Sequence, residues 1–260
     1  MKHIAIIPAR YASTRFPGKP LAILGGKTII ERVYRQVSKA VETVYVATDD
    51  ERIFNTVRDF GGRAVMTSPL HKSGTDRIEE AVSIISREMG VEYDIVINVQ
   101  GDEPFVDVTQ ITTVMECFND PDVSIATLGK PFVGKDEKPS EKHLAAIRNV
   151  NSPKIAVSQQ GYALYFSRSV IPFVRGKETA QWPESFPFLK HIGLYAYRRD
   201  VLHAVTLLPQ SPLEIAESLE QLRWLENGYR IKVGITEIET IGIDTPEDFK
   251  RAEEALRNLK

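Results

Sequence analysis

The sequence predicts an α/β protein with a doubly wound, mostly parallel sheet, and three observations carry that expectation. Five runs, 4–7, 43–48, 63–66, 94–99 and 123–128, are rich in β-branched residues and nearly continuous in apolar character. That is the pattern of parallel strands covered on both faces. Segments with helical spacing separate the runs, and a β-α-β-α order implies a parallel sheet with crossover helices. The 260 residues, 42% hydrophobic and 26% charged, suit one α/β domain over 1–260 with an antiparallel insertion at about 129–200.

The elements follow in order. The first strand, Ile4 to Ile7, ends at Pro8 and enters a loop that holds Arg10, Arg15, Gly18 and Lys19. Thr28 and Glu31 form a capping box ahead of IIERVYRQV, where Ile29, Ile30, Val33 and Val37 repeat at helical spacing. Residues 75–89 and 107–118 read as further helices. From residue 129 the polar segment GKPFVGKDEKPSEK predicts a protruding loop or arm. The runs AAIRNV, KIAVS and YALYF then predict short strands of the insertion. Residues 172–188, rich in proline and aromatics, predict an ordered long loop or lid. HIGLYAYRR (191–199) returns to strand character. Ser211 with Glu214, and proline at position 212, open a helix expected to reach Asn227–Gly228. The run YRIKVGIT predicts a strand, and Thr245-Pro246 starts the last helix.

Bulk properties exclude several classes. A net charge of −2 gives no field for nucleic acid or a membrane surface, so an anion site must be local. The one cysteine, Cys117 in VMECF, has no partner for an internal disulfide and reads as core packing in a reducing compartment. The N-terminus enters a strand without a charged lead and apolar signal region, and no apolar run reaches membrane-spanning length. A cytoplasmic protein is expected.

Four constellations carry chemistry. Arg10, Arg15 and Lys19 follow the first strand, where open α/β sheets bind ligands, and arginine forks with a lysine point charge suit a nucleoside triphosphate. A GxGxxG fingerprint is absent. Gly26-Lys27-Thr28 resembles the end of a Walker A loop, but Leu21 stands where its first glycine is needed, so GGKT reads as a turn and helix cap. INVQGDEP delivers Gln100, Gly101 and Asp102 to a strand end. A carboxylate there holds Mg²⁺ against a triphosphate, or merely caps a turn. Asp244, at the end of the strand-like apolar run IGI, is either a second carboxylate for that metal or a helix-entry residue. Ser73, Gly74, Thr75 and Arg77 open a helix whose N–H groups read a base, or form an ordinary polar loop.

The segments IPARYASTRFPGKPL, ATDDERI, HKSGTDR, NVQGDEP, QGYALYFSR, HIGLYAY, SPLEIAESLEQLR and GIDTPED together resemble the 3-deoxy-manno-octulosonate (Kdo) cytidylyltransferases, from residue 4 to about 254. The resemblance transfers poorly to 129–143. It implies a nucleotidyltransferase-type fold and transfer of CMP from CTP to Kdo, with release of pyrophosphate. It also implies Mg²⁺ dependence, a homodimer built on the insertion, and supply of lipopolysaccharide synthesis. Carried onto this sequence, Arg10, Arg15 and Lys19 hold the triphosphate, and Ala9, Ser73, Gly74 and Arg77 surround the cytidine. Asp102 and Asp244 hold Mg²⁺, and Gln100, Arg168, His191, Tyr195 and Glu220 hold Kdo. The chemistry agrees: an arginine suits the sugar-acid carboxylate, and His191 and Tyr195 share one side of a strand. A relative activating another sugar acid, such as an amino-Kdo analogue or a sialate, remains the alternative. A nucleotide-sensing protein without catalysis is opposed by the two carboxylates. Apolar residues around Ile147 and Val150 add to the dimer expectation.

Overall fold

The computed structural model describes residues 1–12, 15–240 and 242–258. In chain order the elements are β1 (His3–Ala9), β2 (Ile23–Leu24), β3 (Lys27–Thr28), α1 (Ile29–Val37), β4 (Val44–Thr48), α2 (Glu51–Asp59), β5 (Ala64–Met66), α3 (Gly74–Met89), β6 (Ile95–Asn98) and α4 (Val108–Glu116). There follow β7 (Ile125–Pro131), α5 (Glu141–Arg148), β8 (Lys154–Val157), β9 (Ala163–Ser167), α6 (Trp182–Ser185), β10 (Leu189–Arg198), α7 (Arg199–Thr206), α8 (Pro212–Glu217), α9 (Gln221–Glu226), β11 (Ile231–Ile235) and α10 (Pro246–Asn258). The chain divides into two compact units. The first holds Met1–Thr112, Ala196–Thr206 and Thr240–Lys260, the second Thr113–Tyr195 and Leu207–Glu239.

In the first unit β1 is the central strand. It pairs in parallel with β4, Ala5 opposite Val44, and with β6, His3 opposite Ile95. Parallel β5 extends the sheet beside β4. Ile4, Ala5, Ile6 and Ile7 are all fully buried, as expected for a strand covered on both faces. Pro8 does not end β1, which continues through Ala9. The GGKT segment forms a hairpin, β2 against β3, with Gly25 and Gly26 at positive φ. Thr28 then caps α1 by accepting the amide of Glu31, so the turn-and-cap expectation holds.

In the second unit β11 pairs in parallel with β7, while β8 runs antiparallel to both β9 and β10. Three expectations are corrected here. Ala145–Val150 is not a strand: helix α5 runs to Arg148 and buries Ile147. Leu144 and Ile147 lie three apart, so the segment has the apolar spacing of a helix. Ile147 packs with Phe132, Trp182 and Phe188 and is spent in the core, which removes it from any apolar surface patch. Val150 stays 59% exposed. The expected arm at 129 begins as strand, because β7 runs on to Pro131. The helix from Ser211 also does not reach Asn227 unbroken. It stops at Ser218, whose φ of 51° and ψ of 49° place a non-glycine residue in the left-handed region, and restarts as α9. The proline-aromatic stretch 172–188 is anchored by Trp182 and Phe188 in the same core cluster.

Candidate active site

The site builds from strand ends. In the first unit, the carboxyl ends of β1 and β6 flank a cleft of about 490 Å³. After β6 the chain passes Gln100 and Gly101 to Asp102. A Cβ on Gly101 would stand 2.7 Å from the carbonyl oxygen of Pro8, so glycine lets the two strand ends close. Gly18, at φ 71°, precedes a 3₁₀ turn over Lys19–Leu21. This turn buries Lys19 to 9% exposure. The Lys19 ammonium lies 2.7 Å from Asp102 Oδ2 and 3.1 Å from Asp244 Oδ1, and Arg15 reaches Asp244 at 3.4 Å.

Asp244 arrives differently from the expectation. The residues before it form no strand among those described, and Ile241 lies outside them. Instead the Ile243 amide donates to the Asp102 carbonyl at 2.9 Å, tying the two segments directly. Asp248 then accepts from the amides of Asp244 and Thr245 and fixes the entry to α10. The edge-to-face pair Phe16–Phe249, 5.9 Å between centroids, seats that helix.

Ala9, Arg10, Arg15, Lys19 and Gln100 line the cleft together with Asp102 and Asp244. Ser73, Gly74 and Arg77 line it as well. Ser73 and Asp76 form a capping box at the start of α3. Arg77 is 1% exposed, donates to Thr67 Oγ1 at 2.7 Å and pairs with Asp49 at 3.3 Å. Asp49 was not singled out in the sequence, although it stands in the ATDDERI segment. A second, more open cavity of about 620 Å³ lies at the opposite ends of the strands, by Asp94 and Arg199. There Arg199 is spent on Glu79, and ligands of open α/β sheets bind at the carboxyl ends.

Arg168, His191, Tyr195 and Glu220 lie in the second unit, whereas Gln100 belongs with the nucleotide-side set. His191 and Tyr195 do share one side of β10, 5.4 Å between rings. Phe166 packs on His191, and Trp224 on Tyr195. Thr127 Oγ1, which the sequence reading missed, lies 3.3 Å from His191 Nε2. Burial, aided by Lys190, pulls the His191 pKa down to about 3, so the imidazole is neutral. Burial pushes the Tyr195 phenol up; a hydrogen bond with Thr127 opposes this and the Glu220 charge adds to it. The Arg168 guanidinium donates to the carbonyls of Glu217 (2.7 Å), Val150 (3.0 Å) and Ser218 (3.3 Å). The Glu217 carboxylate accepts from Ser167 Oγ at 2.6 Å and from the Arg168 amide at 2.9 Å. Lys154, fully buried, donates to the carbonyls of Asn149, Ser152 and Arg168, and burial lowers its pKa.

A parallel sheet whose strand ends gather arginine and lysine against two carboxylates defines an α/β nucleotide-handling enzyme. Residues 4–235 match the family model described as cytidylyltransferase. The 3-deoxy-manno-octulosonate cytidylyltransferase of Phocaeicola vulgatus is 60% identical over 257 residues, covering 99% of this chain and 98% of that protein. The enzyme of the same name from Bacteroides thetaiotaomicron is 58% identical over 258 residues, covering 99% of both. A solved structure of CMP:2-keto-3-deoxy-manno-octonic acid synthetase complexed with CTP superimposes with a TM-score of 0.87 at 38% identity over the whole of both chains. The chain belongs to the 3-deoxy-manno-octulosonate cytidylyltransferase family, and it is a nucleotidyltransferase.

Proposed function

We propose that the protein transfers CMP from CTP to the anomeric hydroxyl of Kdo and releases pyrophosphate. The observation that carries this reading is near-complete coverage by relatives of that activity, about three-fifths identical, joined to a cleft in which Lys19 bridges Asp102 and Asp244. The hydroxyl oxygen bonds to the α-phosphorus and loses its proton to solvent as the bond to the bridging oxygen breaks, and pyrophosphate leaves. Such transfer depends on positioning and charge neutralisation. Arg10, Arg15 and Lys19 take the triphosphate charge. Ser73, Gly74 and Arg77 border the base, and Arg77, fixed by Thr67 and Asp49, presents a rigid edge. The sugar acid falls to Arg168, His191, Tyr195 and Glu220 of the second unit. His191 serves there as a neutral hydrogen-bonding group.

Asp102 and Asp244 would hold Mg²⁺. The donor set fits: two carboxylates already converge on one cation, the Lys19 ammonium. Among the described residues no group of three or more His, Cys, Asp or Glu is placed to hold a metal ion, and Mg²⁺ takes one or two carboxylates plus phosphate oxygens and water. When bound it would neutralise phosphate charge. We further propose a cytoplasmic homodimer serving lipopolysaccharide synthesis. Among the described residues no helix is long and apolar enough to cross a membrane. Val150, Leu164 and Ile215 of the second unit are 59%, 65% and 63% exposed, and light scattering that finds only monomer at micromolar concentration rejects the dimer. Pyrophosphate release tests the reaction, with CTP, ATP and GTP against a panel of 2-keto sugar acids and Mg²⁺. CTP with Kdo is expected to exceed every other pair; equal turnover with a purine triphosphate, or with a sialate, contradicts the reading.

A further inference from the structure

We propose that Tyr11, braced from behind by Arg52, is a positioning residue that sets the triphosphate loop, and that Arg52 acts on the nucleotide only through it. Arg10 and Ala12 on either side of Tyr11 line the cleft, while the Tyr11 ring turns towards Gly18 and Arg52. Three contacts define its place. The Gly18 amide donates to the Tyr11 carbonyl at 2.9 Å, closing the loop. The Tyr11 ring lies 3.1 Å from where a Cβ on Gly18 would stand, so ring and glycine are in close contact. The Arg52 guanidinium sits 3.3 Å over the centre of the same ring.

Arg52 is itself anchored. Its Nε and Nη2 donate to the two oxygens of Asp50 at 3.0 and 2.6 Å. Asp50 caps α2, and its own amide donates to Thr48 Oγ1 at the end of β4. α2 also packs against the Lys19–Leu21 turn. A continuous series of contacts therefore runs from the β4 end through Asp50, Arg52 and Tyr11 to Gly18, the residue before Lys19. Among the described residues, none of its side chains bonds Asp102 or Asp244. Its effect falls on the cations of the loop, because a guanidinium stacked on an aromatic ring restrains ring and strand end together, and phosphate binding by Arg10, Arg15 and Lys19 needs their separation fixed before the ligand arrives.

This inference rests on the nucleotide reading of the cleft, and the test separates the two. CTP binding is measured by calorimetry and by steady-state KM for wild type, Tyr11→Phe, Tyr11→Ala, Arg52→Ala and the Tyr11→Ala, Arg52→Ala double variant. Tyr11→Ala should weaken CTP binding about tenfold with KM for Kdo unchanged. Tyr11→Phe, which keeps the ring, should restore near-native binding. Arg52→Ala should weaken CTP by about two- to fivefold and add nothing in the Tyr11→Ala background. Equal rises in both KM values, failure of Tyr11→Phe to restore binding, or an additive double variant overturns the proposal. If Tyr11→Ala does not fold, an unchanged CTP affinity in Arg52→Ala overturns it as well. A wild-type protein that does not bind CTP overturns the functional reading instead.

Discussion

Two regions of the molecule that carry candidate site residues are held by different physics. Around Lys19, Asp102 and Asp244 the contacts are ionic, and the Asp244 side chain is 50% exposed. Around His191 and Tyr195 the contacts are aromatic and buried, and both groups are displaced from their ordinary pKa values by that burial. The first region is set by charge and strand-end geometry, the second by packing. Substitutions should therefore part. Substitution of a charged side chain in the first region should cost turnover and leave folding intact; in the second region substitutions should cost stability along with affinity.

The largest expected effect is in the charged region. Lys19→Met should fold normally and lose about 100-fold or more in turnover, the range for removal of one key electrostatic group. It should also bind Mn²⁺ more tightly than wild type without nucleotide, because the ammonium that occupies the carboxylates is gone. Weaker Mn²⁺ binding than wild type would show that Lys19 does not compete for that pair. Gly101→Ala should come next. Its Cβ would meet a main-chain oxygen at 2.7 Å, so thermal unfolding should report a loss of about 1–3 kcal/mol, typical of overpacking; an unchanged melting temperature would break the strand-closure argument.

Arg168 tests the second region. Three of its donors already hold carbonyls of Val150, Glu217 and Ser218, beside the strained Ser218. Arg168→Ala should raise KM for Kdo and lower the melting temperature together, with KM for CTP unmoved. A Kdo affinity equal to wild type would remove Arg168 from the sugar-acid set. The smallest effect concerns His191. The unfolded imidazole takes a proton near its ordinary 6.5, whereas the folded one resists until about 3. Stability is thus complete above about pH 6.5 and falls as pH drops from there towards 3. His191→Gln should flatten that acid limb in a series of melting temperatures, and an unchanged slope would contradict the burial.

The nucleotide side was legible because its groups sit in short local segments at strand ends. IAIIPAR and INVQGDEP each join an apolar run to a polar turn, and HKSGTDR opens a helix, so the elements and the residues that line the cleft could be read together. Asp244 was found through its neighbour residues, but its local setting was misread. An apolar run predicts a strand, yet here the Ile243 amide bonds the Asp102 turn, a contact 141 residues away in sequence that no local pattern encodes. The second unit was less legible for the same reason. Ala145–Val150 holds two β-branched residues, Ile147 and Val150, but burial of Ile147 against Phe132 and Trp182 fixes a helix. The break at Ser218 answers to Arg168 and Glu217, which come together only in the fold. Tyr11 and Arg52 likewise meet across the fold, and an aromatic between Arg10 and Ala12 gives no signal of it.

The central claim is that Asp102 and Asp244 form one cation site at the triphosphate. Turnover against Mg²⁺ concentration for Asp102→Asn and Asp244→Asn tests it most directly, with CTP binding as the check on folding. The account predicts that both variants bind CTP, lose about 100-fold or more in turnover, and need more Mg²⁺ for half-maximal rate. An Asp244→Asn protein with near-native turnover and Mg²⁺ dependence would make Asp244 a helix-entry residue and contradict the claim.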